Sequence, residues 1–220
     1  MTPPPATQSP APSSGKVFLV DDEPSVRRAL TRLLRVAGLE VASFASGEAL
    51  LADVNGLGPA CVVADLRMPG LTGLELQEEL SRRGLNLPVL LISGHADVPS
   101  SVRAMKAGAV DFLEKPVSAP DLLEAVRRAL ERHAAQETVR QEKDLLQLRL
   151  ERLTPRECEV FALVATGLLN KQVGFELGTS EKTIKVHRAR VMEKMEARSL
   201  ADLVRMAGQL GLVAPPLRGH

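Results

Sequence analysis

The chain has no tryptophan and no tyrosine, and phenylalanine occurs only five times. Its core must therefore be aliphatic, and stacking of bases on aromatic rings is disfavoured as a way of recognising nucleic acid. Cysteine appears twice, at Cys61 and Cys158, far apart and outside any CxxC pair. Two such residues supply neither a disulfide framework nor a zinc site, and they read as small buried hydrophobes in a reducing compartment. No apolar run reaches the eighteen residues of a membrane span, and no leader pattern is visible. The expectation is a cytoplasmic protein with no membrane partner. Charge of one sign is also lacking, since the net charge is only +1. Acids slightly outnumber bases in the first half and bases outnumber acids in the second, which is too mild an asymmetry to identify a nucleic-acid binder alone.

What is present is an ordinary globular balance, 45% apolar and 25% charged over 220 residues, enough for one or two cores. Residues 1–15 are rich in Pro, Ser and Thr without an apolar pattern and read as a disordered tail. From Lys16 the chain alternates. Short apolar runs at Lys16–Val20, Leu39–Ser43, Cys61–Asp65, Pro88–Ile92 and Val110–Leu113 read as strands. Between and after them lie segments of helical period, the fourth over Val98–Ala107 and the fifth opened by Ser118 with Asp121 three residues on. Five strands alternating with five helices predict an α/β, doubly wound, five-stranded parallel sheet. Right-handed crossovers favour the flavodoxin-like order 2-1-3-4-5.

The stretch ACVVADLRMPG organises this half. A strand buried on both faces ends in Asp65, and Met68-Pro69-Gly70 then turns the chain. An isolated Asp there is most simply a turn residue. Comparison of the other strand ends changes that reading. Strand 1 ends in Asp21 and Asp22, strand 4 in Ser93 and strand 5 in Lys115, and in a parallel sheet these ends share one edge. Three carboxylates crowded there require a cation, and hard oxygen ligands with open positions suit Mg²⁺. Beside such a cation and the Lys115 ammonium, a carboxylate can accept a phosphoryl group.

Asp21-Asp22, Asp65-x-x-Met68-Pro69-Gly70, Ser93-Gly94 and Lys115-Pro116 resemble the receiver domain of two-component response regulators, over residues 16–133. The resemblance implies Asp65 as phosphoacceptor and Asp22 and Asp65 as direct Mg²⁺ ligands. It also implies Asp21 acting through water and the Arg67 carbonyl as a further ligand. Ser93 would bind the phosphoryl oxygen, Phe112 would be the switching aromatic, and Lys115-Pro116 would be a cis peptide.

Residues 134–151 continue a helical pattern that is mostly polar and read as a helical linker. Residues 152–220 read as an all-α, four-helix domain. Thr154-Pro155 with Glu157 opens its first helix. Asn170–Leu177, the Gly178-Thr179-Ser180 turn and Glu181–Met195 make a helix-turn-helix pattern. In the third helix Ile184, Val191 and Met195 should face the core. Lys182, Lys185, Val186 and Ala189 lie opposite, with Arg190 and Lys194 at the flank, and His187 reads as a partly buried structural histidine. The segment LTPRECEVFALVATGLLNKQVGFELGTSEKTIKVHRARVMEKM resembles the LuxR-type helix-turn-helix, and the whole chain resembles the FixJ subgroup (NarL/LuxR type) of response regulators. That resemblance implies DNA contacts from Lys171, Thr179, Ser180, Lys182, Thr183, Lys185, Val186, Ala189, Arg190 and Lys194 at an inverted-repeat promoter site.

Together these readings give a non-enzymatic regulator, phosphorylated at Asp65 by a sensor histidine kinase, that dimerises on phosphorylation, binds double-stranded DNA and works with RNA polymerase. Val102, Lys106 and Asp111 are the expected dimer contacts. The rival is a phosphorylation-independent or small-molecule-responsive LuxR-type regulator, which would have no need of the complete set Asp21, Asp22, Asp65, Ser93 and Lys115.

Overall fold

The structure, a computed structural model, describes residues 15–54, 58–94 and 110–212. They form two units, one up to Glu137 and the other from Thr138. The first contains β1 (Lys16–Val20), α1 (Pro24–Val36), β2 (Glu40–Phe44), α2 (Gly47–Asp53), β3 (Ala60–Asp65), α3 (Gly73–Arg82), β4 (Val89–Ser93) and β5 (Asp111–Glu114). The helix expected over 98–107, with Val102 and Lys106, lies outside the described residues. α4 (Ala119–Glu151) runs without a break from the first unit into the second. The anticipated last receiver helix and the anticipated linker are thus one helix of 33 residues.

All four strand pairings are parallel, in the order β2-β1-β3-β4-β5. Alternation along each strand feeds two cores. Phe18, Val20, Val62, Ala64 and Leu91 pack with Leu50, Leu76 and Leu80 from α2 and α3 on one face. Val17, Leu19, Cys61, Val63, Leu90 and Ile92 pack with Leu34 of α1 and Leu122, Val126 and Leu130 of α4 on the other. Each fully buried Leu contributes roughly 1.5–3 kcal/mol relative to an exposed one. With no Trp or Tyr available, these aliphatic residues carry the sheet's stability.

Three strands sit one residue later than their apolar runs suggest. β2 ends at Phe44, β4 begins at Val89 after Pro88, and β5 begins at Asp111. Pro88 has no N–H for a ladder, so only its carbonyl takes part, accepting from the Val62 N–H at 2.8 Å. The pairing then starts at Val62↔Val89 and ends by setting Ser93 opposite Glu114.

The second unit contains α5 (Pro155–Ala165), α6 (Asn170–Glu176), α7 (Glu181–Lys194) and α8 (Leu200–Gln209). Thr154 and Glu157 close a full capping box at the start of α5, with Pro155 at a position where the missing N–H costs nothing. Ser180 caps α7 and Ser199 caps α8 through their hydroxyls. The core joins Phe161, Val160, Val164, Val173, Ile184, Val191, Met195 and Leu203, and Leu146 of α4 is buried with them. Gly174 permits the close turn between α6 and α7, because a Cβ there would lie 2.9 Å from the Thr179 carbonyl oxygen.

Candidate functional site

The C-terminal ends of β1, β3, β4 and β5 meet along one sheet edge, each strand delivering its polar terminus to the same place. Asp21 follows β1 directly and is only 2% exposed, while Asp22 next to it is exposed. Asp65 is the last residue of β3. One carboxylate oxygen from each of Asp21, Asp22 and Asp65 lies within 4.8 Å of the other two. Lys115, just past β5, brings its ammonium to Asp21 Oδ2 at 3.0 Å and Asp65 Oδ2 at 2.5 Å. Burial works most strongly to lower the Lys115 pKa, but the bonds to Asp65 and Asp21 together outweigh it and raise the value above the ordinary 10.5. One cation is thus shared between two carboxylates, and with Asp22 the three acids exceed it by two negative charges.

Local backbone geometry fixes these groups. The Glu23 N–H donates to Asp21 Oδ1 at 2.9 Å and the Arg67 N–H donates to Asp65 Oδ1 at 3.0 Å. Gly70 turns the chain with a φ of 76°, in the left-handed region that glycine adopts without a Cβ clash. Gly73 then lets α3 start against the strand end, since a Cβ there would stand 2.6 Å from the Asp65 carbonyl oxygen. Ser93 is buried at the end of β4, and its carbonyl accepts from the Lys115 N–H at 2.8 Å. The Lys115-Pro116 peptide is cis. Phe112 is partly buried against the core on the α2–α3 face.

The acidic trio offers only hard oxygen donors with one member open to solvent. That set suits Mg²⁺, which tolerates water in its remaining positions, better than a softer metal.

Two residues that the sequence did not mark support the strands that carry these groups, Arg27 at the acidic edge and His133 at the opposite end of β3. Arg27 of α1 donates from Nη1 to the carbonyl oxygens of Asp21 and Asp22, at 2.6 and 3.4 Å, and so braces the acidic pair from below. A helical arginine one turn past an Asp-Asp pair was the available signal. His133, 5% exposed in α4, accepts from the Ala60 N–H through Nδ1 at 3.1 Å and satisfies the first donor of β3. Nothing local in the sequence joins residues 73 positions apart.

In the second unit Ile184, Val191 and Met195 are buried, at 0%, 1% and 0% exposure. Lys171, Ser180, Lys182, Thr183, Lys185, Val186, Ala189 and Arg190 are exposed, and Thr179 is half-buried. Lys185 pairs with Glu181 at 3.0 Å along the helix. Lys194, expected among the DNA contacts, is half-buried and bonded within the chain. Its ammonium lies 2.6 Å from Oε2 of Glu157, whose side chain is 2% exposed. That bond, then the Thr154 N–H, hold the Glu157 carboxyl down at about 2. His187 is half-buried, and its Nδ1 has no hydrogen-bond partner. Arg188 donates to Asn170 Oδ1 at 3.1 Å, tying α7 to α6. Asp111, expected at a dimer contact, is bonded within the chain to Arg128 Nη2 at 2.6 Å.

Comparison with known proteins matches residues 17–127 to the family described as response regulator receiver domain. Residues 151–207 match the one described as bacterial regulatory proteins, luxR family. The chain is 50% identical over 202 residues to Nodulation protein W of Bradyrhizobium diazoefficiens, covering 90% of this chain and 87% of that protein. It is 44% identical to the transcriptional regulatory protein FixJ of Azorhizobium caulinodans, covering 93% and 96%. Among solved structures, the response regulator StyR superposes with a TM-score of 0.81 at 43% identity, covering 90% of this chain and all of that one. Full-length FixJ from B. japonicum gives 0.55 at 38% identity, covering 92% and 100%.

Proposed function

Because the chain belongs to the response regulators that join a receiver to a LuxR-type DNA-binding domain, a family of phosphorylation-dependent two-component transcription regulators, we propose that Asp65 is its phosphoacceptor. The observation that carries this reading is the acidic trio with Lys115 at the C-terminal edge of the sheet. A carboxylate oxygen of Asp65 attacks the phosphorus of a kinase phosphohistidine. The P–N bond breaks, the imidazole leaves, and an acyl phosphate remains on Asp65. Lys115, already against Asp65 Oδ2, turns to the new phosphoryl oxygens and screens their charge. Ser93 donates to a phosphoryl oxygen, and Phe112 on the neighbouring strand follows it. Asp21, Asp22, Asp65 and the Arg67 carbonyl would hold Mg²⁺, which would supply positive charge to stabilise the transferring phosphoryl group.

The output follows from the exposed face of α7. Lys182, Lys185 and Val186 read base edges, and Lys171, Thr179, Ser180, Thr183, Ala189 and Arg190 approach the backbone and groove walls. Lys194 acts through the fold, by its bond to Glu157. Two copies on an inverted repeat, brought together by phosphorylation through Val102, Lys106 and Asp111, present one α7 per half-site to DNA beside RNA polymerase. Release of Asp111 from Arg128 accompanies that pairing.

The test is intact mass after incubation with acetyl phosphate and Mg²⁺. The native chain gains one hydroxylamine-labile phosphoryl group and Asp65→Asn gains none. A stoichiometric, hydroxylamine-labile group on Asp65→Asn would overturn the assignment of Asp65.

A further inference from the structure

Away from the acidic edge, the first unit carries a concentration of unneutralised positive charge. α1 holds four arginines, Arg27, Arg28, Arg32 and Arg35, and no acidic residue. Among the described residues Arg27 and Arg35 donate only to backbone carbonyls, the latter to Val41 at 3.1 Å. Arg28 and Arg32 are exposed and have no acidic partner among the described residues. Arg28, Arg32 and Arg35 stand at i, i+4 and i+7, on one helix face over about 10 Å of axis. Like charges at that spacing repel, and those in the first turns also oppose the helix dipole, so the stripe works against the stability of α1.

All four arginines line one open cleft of about 530 Å³ between α1 and β2, with Ser43 on the far wall. Val36, 81% exposed, adds an apolar wall at one end. Beneath the stripe lies the Thr31 hydroxyl oxygen, buried and without a hydrogen-bond partner. The volume falls in the range of small-molecule sites. Guanidinium groups bind phosphate through paired donors in a fixed plane, and four of them match the charge of about −4 on a linear triphosphate.

We propose that the α1–β2 cleft is a binding site for a triphosphate-bearing ligand, a nucleoside triphosphate, with its phosphates along Arg28, Arg32 and Arg35 and its apolar part against Val36. The cleft is separate from the phosphoacceptor edge. Arg27 joins the two by bracing the Asp21 and Asp22 carbonyls, which is why the test leaves Arg27 in place.

The full chain is titrated calorimetrically with ATP and, separately, with inorganic triphosphate and sulfate at matched ionic strength. The proteins are the native chain, Arg28→Ala/Arg32→Ala and Asp65→Asn. Both arginines are exposed and alanine is the better helix former, so the double variant folds, and unchanged phosphorylation by acetyl phosphate confirms it. The expected result is saturable one-to-one binding of ATP and triphosphate, at least about tenfold weaker in the arginine variant and unchanged in Asp65→Asn. Sulfate binding as tight as triphosphate overturns the proposal, since the cleft is then only a general anion sink. Equal ATP affinity in the arginine variant also overturns it, by placing the ligand elsewhere, as on α7. Absence of saturable binding, with the arginine variant instead losing affinity for duplex DNA or for the kinase, overturns it and gives the stripe to a macromolecular partner.

Discussion

Lys194 is where fold and DNA binding make opposite predictions. A lysine on the flank of a recognition helix, if it touches phosphate, lowers the salt slope of binding by about one unit when removed. In the structure its ammonium is 2.6 Å from a carboxylate that is 2% exposed, at the capping box of α5. Lys194→Met keeps the stem and removes the charge. Glu157 then retains the Thr154 N–H at 2.9 Å and loses its cation. Stranding a fully buried charge costs about 3–5 kcal/mol, but Lys194 itself is 31% exposed, so water replaces part of what is lost. The expected destabilisation is about 2 kcal/mol, near the value of one hydrogen bond to a charged group.

Without Trp or Tyr there is no useful intrinsic fluorescence, so amide hydrogen exchange in α5 and α7 is the suitable assay, and it reports on the second unit separately. Lys194→Met should speed exchange there by about thirtyfold, and adding Glu157→Gln should restore part of the loss. The pH dependence has a definite sign. The Glu157 carboxyl is lowered from 4.5 to about 2 in the fold, so its stabilisation is complete above about 4.5 and disappears as pH falls towards 2. In Lys194→Met that acid-dependent loss should shrink. Unchanged exchange together with a salt slope lowered by about one would refute the structural role and return Lys194 to the DNA backbone.

Lys185→Ala should cost on the order of 1–3 kcal/mol on the cognate site and relax base preference, measured by salt titrations on operator and scrambled duplexes; equal losses on both would make Lys185 a positioning contact. His133→Leu should cost about 1–3 kcal/mol by leaving the buried Ala60 N–H without its acceptor, seen as faster exchange of that amide; unchanged protection at Ala60 would contradict it. Gly73→Ala should push α3 away from the Asp65 carbonyl, destabilise the first unit and slow phosphorylation by acetyl phosphate; native stability and rate would show that the loop gives way freely.

The sequence alone determined the parallel sheet and the acidic edge with Asp21, Asp22, Asp65, Ser93 and Lys115, and it favoured the strand order that the tertiary structure then fixed. Each rests on a short-range pattern: apolar runs of strand length, turn residues after them, and the rule that parallel strands end on one edge. Caps were legible for the same reason, since Thr154 and Glu157 are three residues apart. Only the tertiary structure decided that Lys194 serves Glu157, that His133 closes the ladder at Ala60, and that Arg27 braces the acidic pair. It also decided that β4 starts after Pro88. A buried donor, acceptor or charge needs a partner wherever the fold can bring one, and sequence patterns a few residues long carry no record of that meeting.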